Sequence, residues 1–169
     1  MSVKRVMRYL AATIDRKLRH AGNHGLTLQC FVDAEWAGDK TDWKSSIGYI
    51  FKLCVSTVAS SSEKQSVVAL SSTVVEYAAV SYTYKELLWL PQLLQDMAVP
   101  QKDPTVIYED NQGCIRLAEL GRCDARTKHI DVRYHMLRNL RQHGVITMEY
   151  CPTEDMMADV MKKLLGKEL

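Results

Sequence analysis

An apolar run that ends directly in acidic residues constrains this chain more than any other feature. Residues 30–39 have the sequence CFVDAEWAGD, in which the apolar segment leads straight into Asp33. Such a pattern is typical of a buried strand that carries a carboxylate to the rim of a sheet. Residues 105–108 lead in the same way into Glu109 and Asp110. The chain is therefore expected to bring carboxylates together from distant parts of its sequence.

Composition indicates one ordinary globular domain. The chain has 169 residues, of which 47% are hydrophobic and 25% charged, which argues against disordered and fibrous classes. No apolar run approaches the roughly 18 residues of a membrane span, and the N-terminus has no secretory signal pattern, so we expect an intracellular protein. Five cysteines without a Cys-x-x-Cys pair argue against a disulfide framework and against a zinc knuckle.

The distribution of charge along the chain says more about a possible nucleic-acid partner than the net charge does. A net charge of +2 is too small to indicate a nucleic-acid partner by itself. Basic side chains nevertheless concentrate in residues 122–141. This segment is a candidate contact for a phosphate backbone, and a solvated basic loop is the alternative interpretation.

Hydrophobic periodicity predicts an α/β fold with the order βββ-α-β-α-α-β-α after a short N-terminal helix. A capping box formed by Thr73 and Glu76 is expected to open the first long helix, and Pro91 to kink it or divide it into two abutting helices. A mixed sheet covered by helices follows from this order. The predicted strands are residues 26–32, 46–53, 57–60 or somewhat beyond, 105–108 and 145–150. The predicted helices are residues 3–13 and 73–97, one that follows residues 109–112 and ends at about residue 120, about 130–142, and 152–165.

Four carboxylates, of Asp33, Glu76, Asp110 and Asp159, fall at strand ends or early helical turns on this prediction. Carboxylates packed at one rim repel one another unless cations neutralise them. Oxygen ligands with open coordination positions suit Mg²⁺ or Mn²⁺, and two such ions about 3.5–4 Å apart promote phosphodiester hydrolysis.

Each of these acids also has an ordinary structural interpretation. Glu76 alone fits the capping box, and Asp159 alone fits a solvated helix residue. Asp33 and Asp110 fit acidic turn residues that follow strands. Periodicity leaves both interpretations open.

Six motifs occur in order along the chain, at residues 32–39 (VDAEWAGD), 44–49 (KSSIGY), 68–77 (VALSSTVVEY), 108–112 (YEDNQ), 126–131 (RTKHID) and 152–159 (PTEDMMAD). In their order and spacing, from about residue 26 to the C-terminus, they resemble those of the ribonuclease H domain of Ty1/copia-type retrotransposon polyproteins. Residues 3–18 resemble the end of the preceding reverse-transcriptase region. The resemblance therefore implies residues 1–24 as a helix and linker left from that region and residues 25–169 as a ribonuclease H-like domain.

The resemblance implies a ribonuclease H-like fold, in which a mixed five-stranded sheet has three antiparallel strands followed by two parallel ones. It implies Asp33, Glu76, Asp110 and Asp159 as catalytic residues and ligands of two Mg²⁺ ions, with Mn²⁺ as a substitute. The implied reaction is hydrolysis of the RNA strand of an RNA/DNA hybrid during reverse transcription.

The resemblance also implies a hybrid substrate, a reverse-transcriptase region of the same polyprotein as partner, and no membrane. The cytoplasm, including virus-like particles, or the nucleus is the expected compartment. Gln112 is suited to contact 2′-hydroxyls across the minor groove, and the serines and threonine before Glu76 to contact phosphate. The complete set of expected substrate-binding residues is Ser71, Ser72, Thr73, Asn111, Gln112, Arg126, Lys128 and His129.

Several positions depart from the family pattern. The family usually has an acid where this chain has Val74, an aspartate where it has Glu35 and a glycine-rich turn near Cys54. It usually has a tryptophan in place of Ser60 and a proline in place of Leu164. None of these changes removes a catalytic carboxylate. They nevertheless admit an alternative function, a catalytically silent nucleic-acid-binding or interaction module from a domesticated or decaying copy.

Two further expectations concern residues near the motifs. Glu35 is expected to be a peripheral acid whose loss leaves cleavage intact. His129 and His135 are expected to be structural, because neither has a partner at zinc-ligand spacing.

Overall fold

A five-stranded mixed sheet forms the centre of the protein, as the sequence predicts. The computed structural model describes residues 2–17, 25–39, 41–65, 68, 71–120 and 131–162. The strand order is β3-β2-β1-β4-β5, in which β1, β2 and β3 pair antiparallel and β4 is parallel to both β1 and β5. The elements are α1 (Ser2–Ala12), β1 (Leu28–Glu35), β2 (Ser46–Leu53), β3 (Ser56–Lys64), α2 (Ser72–Tyr82), α3 (Tyr84–Asp96), β4 (Thr105–Glu109), α4 (Gln112–Leu120), α5 (Asp131–Gln142), β5 (Ile146–Tyr150) and the 3-10 helices Thr153–Asp155 and Met157–Met161.

The two faces of the sheet are covered differently. On one face, alternate β1 residues including Cys30 and Val32 pack with side chains of α2, α3, α4 and α5 in the main core. On the other face, Phe31 packs with Met156 and Ala158 from the C-terminal 3-10 segment. The alternation of side chains along a strand explains why neighbouring β1 residues belong to different cores.

The first strand extends further than predicted, so that Asp33 lies inside β1. Asp33 pairs with Gly48 in β2, whereas the parallel pairing of β1 with β4 ends at Phe31 and Tyr108. Extending that register by two residues on each strand places Asp33 level with Asp110. Asp33 lies at an edge of the sheet because β4 ends at Glu109, while β1 continues to Glu35.

The helical break predicted at Pro91 is displaced. Helix α3 continues through Pro91, and the chain instead divides at Thr83, between α2 and α3. The Thr83 side chain is fully buried and its hydroxyl donates to the carbonyl oxygen of Val80 at 2.7 Å. That bond competes with helix continuation, which accounts for the break at threonine. Two abutting helices were therefore predicted correctly, but at the wrong residue.

The predicted final helix over residues 152–165 is wrong in the part that the structure describes. Two short 3-10 helices replace it, separated by Met156 in an extended conformation with φ −72° and ψ 96°. Met156 and Ala158 are both buried against the sheet. Packing of these two side chains therefore outweighs helical propensity.

Strand β3 forms despite its serine-rich sequence. Ser60, Ser61 and Ser62 pair with β2 residues from Ile50 to Gly48, so sheet pairing overrides poor strand propensity. The two-residue turn before β3 places Cys54 at φ 58°. Because this left-handed conformation favours glycine, the absence of the family's glycine-rich turn leaves local backbone strain.

The N-terminal helix α1 is present as predicted but packs little. Its apolar side chains Val3, Val6, Met7 and Leu10 are all more than half exposed. None of the helices in the described ranges is long and apolar enough to cross a membrane.

Gly48 is expected to be essential for seating the C-terminal 3-10 helix. A Cβ at this position would lie 2.6 Å from the Cβ of Met161 and 3.1 Å from the carbonyl oxygen of Ala158. Gly48→Ala should lower the free energy of unfolding by about 1–3 kcal/mol, as overpacking does. Urea denaturation measures this loss, with Gly25→Ala as the control because its Cβ meets no atom closer than 4.0 Å. Equal effects of the two substitutions would contradict the prediction.

Candidate metal and nuclease site

Three carboxylates from separate elements meet at the edge of the sheet. Asp33 comes from β1, Glu76 from α2, and Asp110 directly follows β4. One oxygen of each lies within 4.8 Å of the others. Asp33 is 1% exposed and Glu76 is 6% exposed, so water offers these groups little screening.

The start of α2 explains how Glu76 reaches this site. Ser71, rather than Thr73, is the N-cap, and its hydroxyl accepts from the backbone N–H of Val74 at 3.3 Å. Glu76 therefore lies in the second turn and on the buried face of the helix. The predicted capping-box role of Glu76 is wrong because the helix begins two residues earlier than that role requires.

Asp159, the fourth predicted carboxylate, lies beside the cluster on the second 3-10 helix. Lys162, one turn later, forms an ion pair with Asp33 and lies 3.3 Å from an Asp159 carboxylate oxygen. The Lys162 ammonium also donates to the carbonyl oxygen of Ala34 at 3.2 Å. The 3-10 segment thus adds both a carboxylate and a cation to the edge.

Glu109 is an additional buried acid that the sequence analysis did not single out. It is fully buried, and one of its carboxylate oxygens accepts from the backbone N–H of Asn111 at 3.1 Å. Strand β4 alternates, with Thr105, Ile107 and Glu109 all on its buried face. That period of two is the signal that places Glu109 in the core next to the cluster.

Burial and mutual repulsion shift the titration of these acids strongly. Burial, aided by a hydrogen bond with Asp159 and opposed by Lys162, raises the pKa of Asp33 to about 7. Burial and repulsion from Glu109 and Asp33 raise the pKa of Glu76 to about 10. Burial also raises the pKa of Glu109 well above its ordinary value. Several acids confined in one poorly solvated place cannot all ionise unless cations neutralise them.

The pKa of Lys162 is also raised, which for a base favours the charged form. Burial alone would lower its pKa, but the hydrogen bond and charge attraction of Asp33, followed by attraction to Glu76 and Asp159, raise the pKa above its ordinary value. The ammonium therefore stays charged within the cluster.

The donor set fits a divalent cation. Asp33, Glu76 and Glu109 each have one buried carboxylate oxygen that lacks a hydrogen-bond partner among the described residues. Leaving such an oxygen unpaired is costly, and hard cations take carboxylate oxygens of this kind. Within the described part of the chain, one oxygen each of Asp33, Glu76 and Asp110 lie close enough together to hold one ion.

The expected substrate-binding residues occupy two helix N-termini. Ser71 caps α2, Ser72 is exposed in its first turn, and Gln112 is the exposed first residue of α4. The side-chain oxygen of Asn111 accepts from the N–H of Cys114 at 3.0 Å and so caps α4. Arg126, Lys128 and His129 lie outside the described residues.

The two helix N-termini are adjacent. A Cβ placed on Gly113 would lie 3.0 Å from the hydroxyl oxygen of Thr73. Backbone N–H groups at such termini, together with the helix dipoles, favour bound anions. The cluster and an anion-favouring surface therefore share one side of the protein.

Other candidate residues have separate surroundings. Asp39 pairs with Lys64 at 2.5 Å, and this bond, with those from Thr41, holds its pKa below the ordinary value. Glu35 is exposed at the end of β1, and His135 is exposed on α5.

The metal-free protein is expected to lose stability as pH rises. Folded Asp33 and Glu76 keep protons that the unfolded chain releases near 3.8 and 4.5. An acid whose pKa is higher in the folded than in the unfolded state stabilises the fold fully at pH values below its unfolded-state pKa. This stabilisation is lost as the pH rises through the folded-state pKa. The free energy of unfolding in chelator should therefore fall by at least about 2 kcal/mol between roughly pH 5 and 9.

Urea denaturation of Glu76→Gln isolates the contribution of that residue. The variant should show a flatter pH profile, because the amide does not titrate. Glu63→Gln, at an exposed site on β3, should keep the wild-type slope. A wild-type stability that rises over this pH range would contradict the assignment.

Comparisons with known proteins agree with this architecture. No family model matches the chain. The chain is 39% identical over 166 residues to the retrovirus-related Pol polyprotein from transposon RE2 of Arabidopsis thaliana, and 37% identical over 166 residues to that from transposon TNT 1-94 of Nicotiana tabacum. Both matches cover 98% of the chain but only 11% and 12% of the relatives, so the chain spans about a tenth of their length.

Solved structures share the fold. The LC11-RNase H1 structure matches with a TM-score of 0.61 at 15% identity, covering 81% of this chain and 93% of that one. The prototype foamy virus protease-reverse transcriptase matches with a TM-score of 0.54 at 14% identity, covering 86% of this chain and 21% of that one. Together, these matches show that the chain has a ribonuclease H fold and is homologous over 98% of its length to a segment of the retrovirus-related Pol polyproteins of copia-type transposons.

Proposed function

We propose that the chain is a metal-dependent endonuclease that hydrolyses the RNA strand of RNA/DNA hybrids during reverse transcription of a retrotransposon. The observation that carries the proposal is the meeting of Asp33, Glu76 and Asp110 at the sheet edge, with their oxygens within 4.8 Å. Their crowding and burial are difficult to account for without a cation, because each ionised carboxylate raises the energy of the others.

Asp33, Glu76, Asp110 and Asp159 would hold two Mg²⁺ ions, or Mn²⁺ in their place. When bound, such ions polarise the attacking water and neutralise charge at the scissile phosphate. The four residues come from a strand, a helix, a strand end and a 3-10 helix. Since each element is anchored in a core, the carboxylates would keep their relative positions while substrate binds.

The N-termini of α2 and α4 would position the nucleic acid. Ser72 and Gln112 are exposed there, next to the cluster. Backbone N–H groups in the first turns would bind phosphate oxygens and so fix the duplex relative to the carboxylates. The Gln112 amide could then exchange hydrogen bonds with a 2′-hydroxyl, the group that distinguishes RNA from DNA.

The comparisons support these partners. One structural neighbour, with a TM-score of 0.58 at 14% identity over 80% of this chain and 94% of that one, is LC11-RNase H1 in complex with an RNA/DNA hybrid. The foamy virus neighbour joins protease and reverse transcriptase in one protein. We propose that the reverse-transcriptase region of the same polyprotein adjoins this domain and covers the exposed apolar side chains of α1.

A catalytically silent hybrid-binding module is the second candidate, and Lys162 is the observation that favours it. Its ammonium already pairs with Asp33. A cation held permanently in that position would replace a metal ion without supplying its chemistry. Titration of a labelled hybrid without turnover would support this alternative.

Asp33→Asn is expected to abolish cleavage. The substitution keeps the shape of the side chain but removes the charge that would hold the ion, so the rate on a labelled RNA/DNA hybrid with Mg²⁺ should fall at least about a hundredfold. Glu35→Gln is the matched control on the same strand and should retain the wild-type rate. Absence of cleavage by the wild type, alone or fused to its upstream region, would sink the proposal.

Gln112→Ala is expected to weaken discrimination between hybrid and DNA duplex. Losing one hydrogen bond to a 2′-hydroxyl should reduce the ratio of the two cleavage rates about tenfold. Gln92→Ala, which removes an exposed glutamine from α3, should leave the ratio unchanged. An unchanged ratio in Gln112→Ala would assign the recognition of RNA to another residue.

A further inference from the structure

Lys162 is held as a cation inside the carboxylate cluster. Its side chain is only 7% exposed, and it makes an ion pair with Asp33, which is itself 1% exposed on its side chain. A second carboxylate, that of Asp159, lies 3.3 Å away, and the carbonyl oxygen of Ala34 accepts at 3.2 Å. Three acceptors from two elements therefore surround one ammonium group.

Other lysine ion pairs differ from this arrangement. Lys64 pairs with Asp39 and Asp42 while its side chain stays 41% exposed, and Lys44 pairs with Asp42 at 35% exposure. Among the residues that the structure describes, no other basic side chain pairs with the cluster. Because burying an ammonium is costly, its place must be stabilised by the negative charges around it.

A divalent ion and this ammonium need the same charges. The ammonium takes one oxygen of Asp33 and approaches one of Asp159, two of the four proposed ligands. An ion on the remaining Asp33 oxygen would lie a few ångströms from the ammonium, where like charges repel strongly in poorly solvated surroundings. This repulsion disfavours simultaneous occupancy of the two positions.

We propose that Lys162 is an internal cation that stabilises the cluster in the metal-free protein and must be displaced when a divalent ion binds. The inference rests on the proposed metal site and deepens it, because it assigns a competitor to that site. Lys162 then sets the concentration of metal at which the domain changes from its metal-free to its metal-loaded state.

Lys162→Met tests the competition because methionine keeps most of the side-chain volume and removes the charge. Calorimetric titration with Mn²⁺ should give a dissociation constant at least about tenfold lower than that of the wild type. In chelator the melting temperature should fall by about 5 °C, since Asp33 loses its partner. Lys64→Met, which removes an equally paired but exposed lysine, should leave the Mn²⁺ affinity unchanged.

The outcomes separate this inference from the proposed function. Equal or weaker Mn²⁺ binding by Lys162→Met would overturn the competition and leave the metal site intact. Failure of both the wild type and the variant to bind Mn²⁺ would overturn the metal site as well. Binding by the variant alone would support competition in its strongest form.

Lysine acetylation of the wild type gives a second measurement that does not depend on the folding of a variant. Mass spectrometry after brief treatment with an acetylating reagent should show low modification of Lys162 in chelator and several-fold higher modification with saturating Mn²⁺. Lys64 should react equally in both conditions. Unchanged modification of Lys162 with Mn²⁺ bound would overturn displacement.

Discussion

Repulsion among buried carboxylates is the constraint on which the rest of this structure depends. Asp33, Glu76 and Glu109 are each at most 6% exposed. Burial is the main cause of their raised pKa values, and repulsion from neighbouring carboxylates adds to it. Such a group can keep protons, recruit a basic side chain or bind a metal ion. The raised pKa values represent the first solution and Lys162 the second. The proposed Mg²⁺ site is the third, and it would make the other two unnecessary.

Strand register and strand length determine where this cluster forms. Strand β1 is long and continues beside β2 to Glu35, whereas its parallel neighbour β4 ends at Glu109. Because β4 ends at Glu109, Asp33 lies beyond the paired part of the two strands, and Asp110 directly follows β4. From the opposite face, close approach of Met161 to Gly48 brings the Asp159 segment onto the sheet. The lengths and register of the strands, together with the contact at Gly48, therefore determine where the site forms.

The sequence could predict most of this framework because it depends on periodicity. Strand β2 and the sheet with its mixed pairing follow from runs of apolar residues, as does helix α4. Three features depend instead on individual side chains that begin, end or divide a helix, and hydrophobic periodicity carries no information about them. Ser71, rather than Thr73, caps α2, the buried hydroxyl of Thr83 ends that helix, and burial of Met156 divides the predicted final helix. In each case one side chain, through a hydrogen bond or its burial, determines where the helical segment begins or ends.

Glu109 and Lys162 act on the cluster in opposite senses. Ionised Glu109 would repel the Glu76 carboxylate and so raises the pKa of Glu76, whereas Lys162 attracts that carboxylate and lowers the same pKa. Neither residue was singled out from the sequence, because a lone acid in a strand and a lysine in a C-terminal segment are ordinary features. Their importance comes from placement, since each is buried where the four proposed ligands meet. On the competition proposed for Lys162, the affinity of the metal site would depend on this residue as well as on the four ligands.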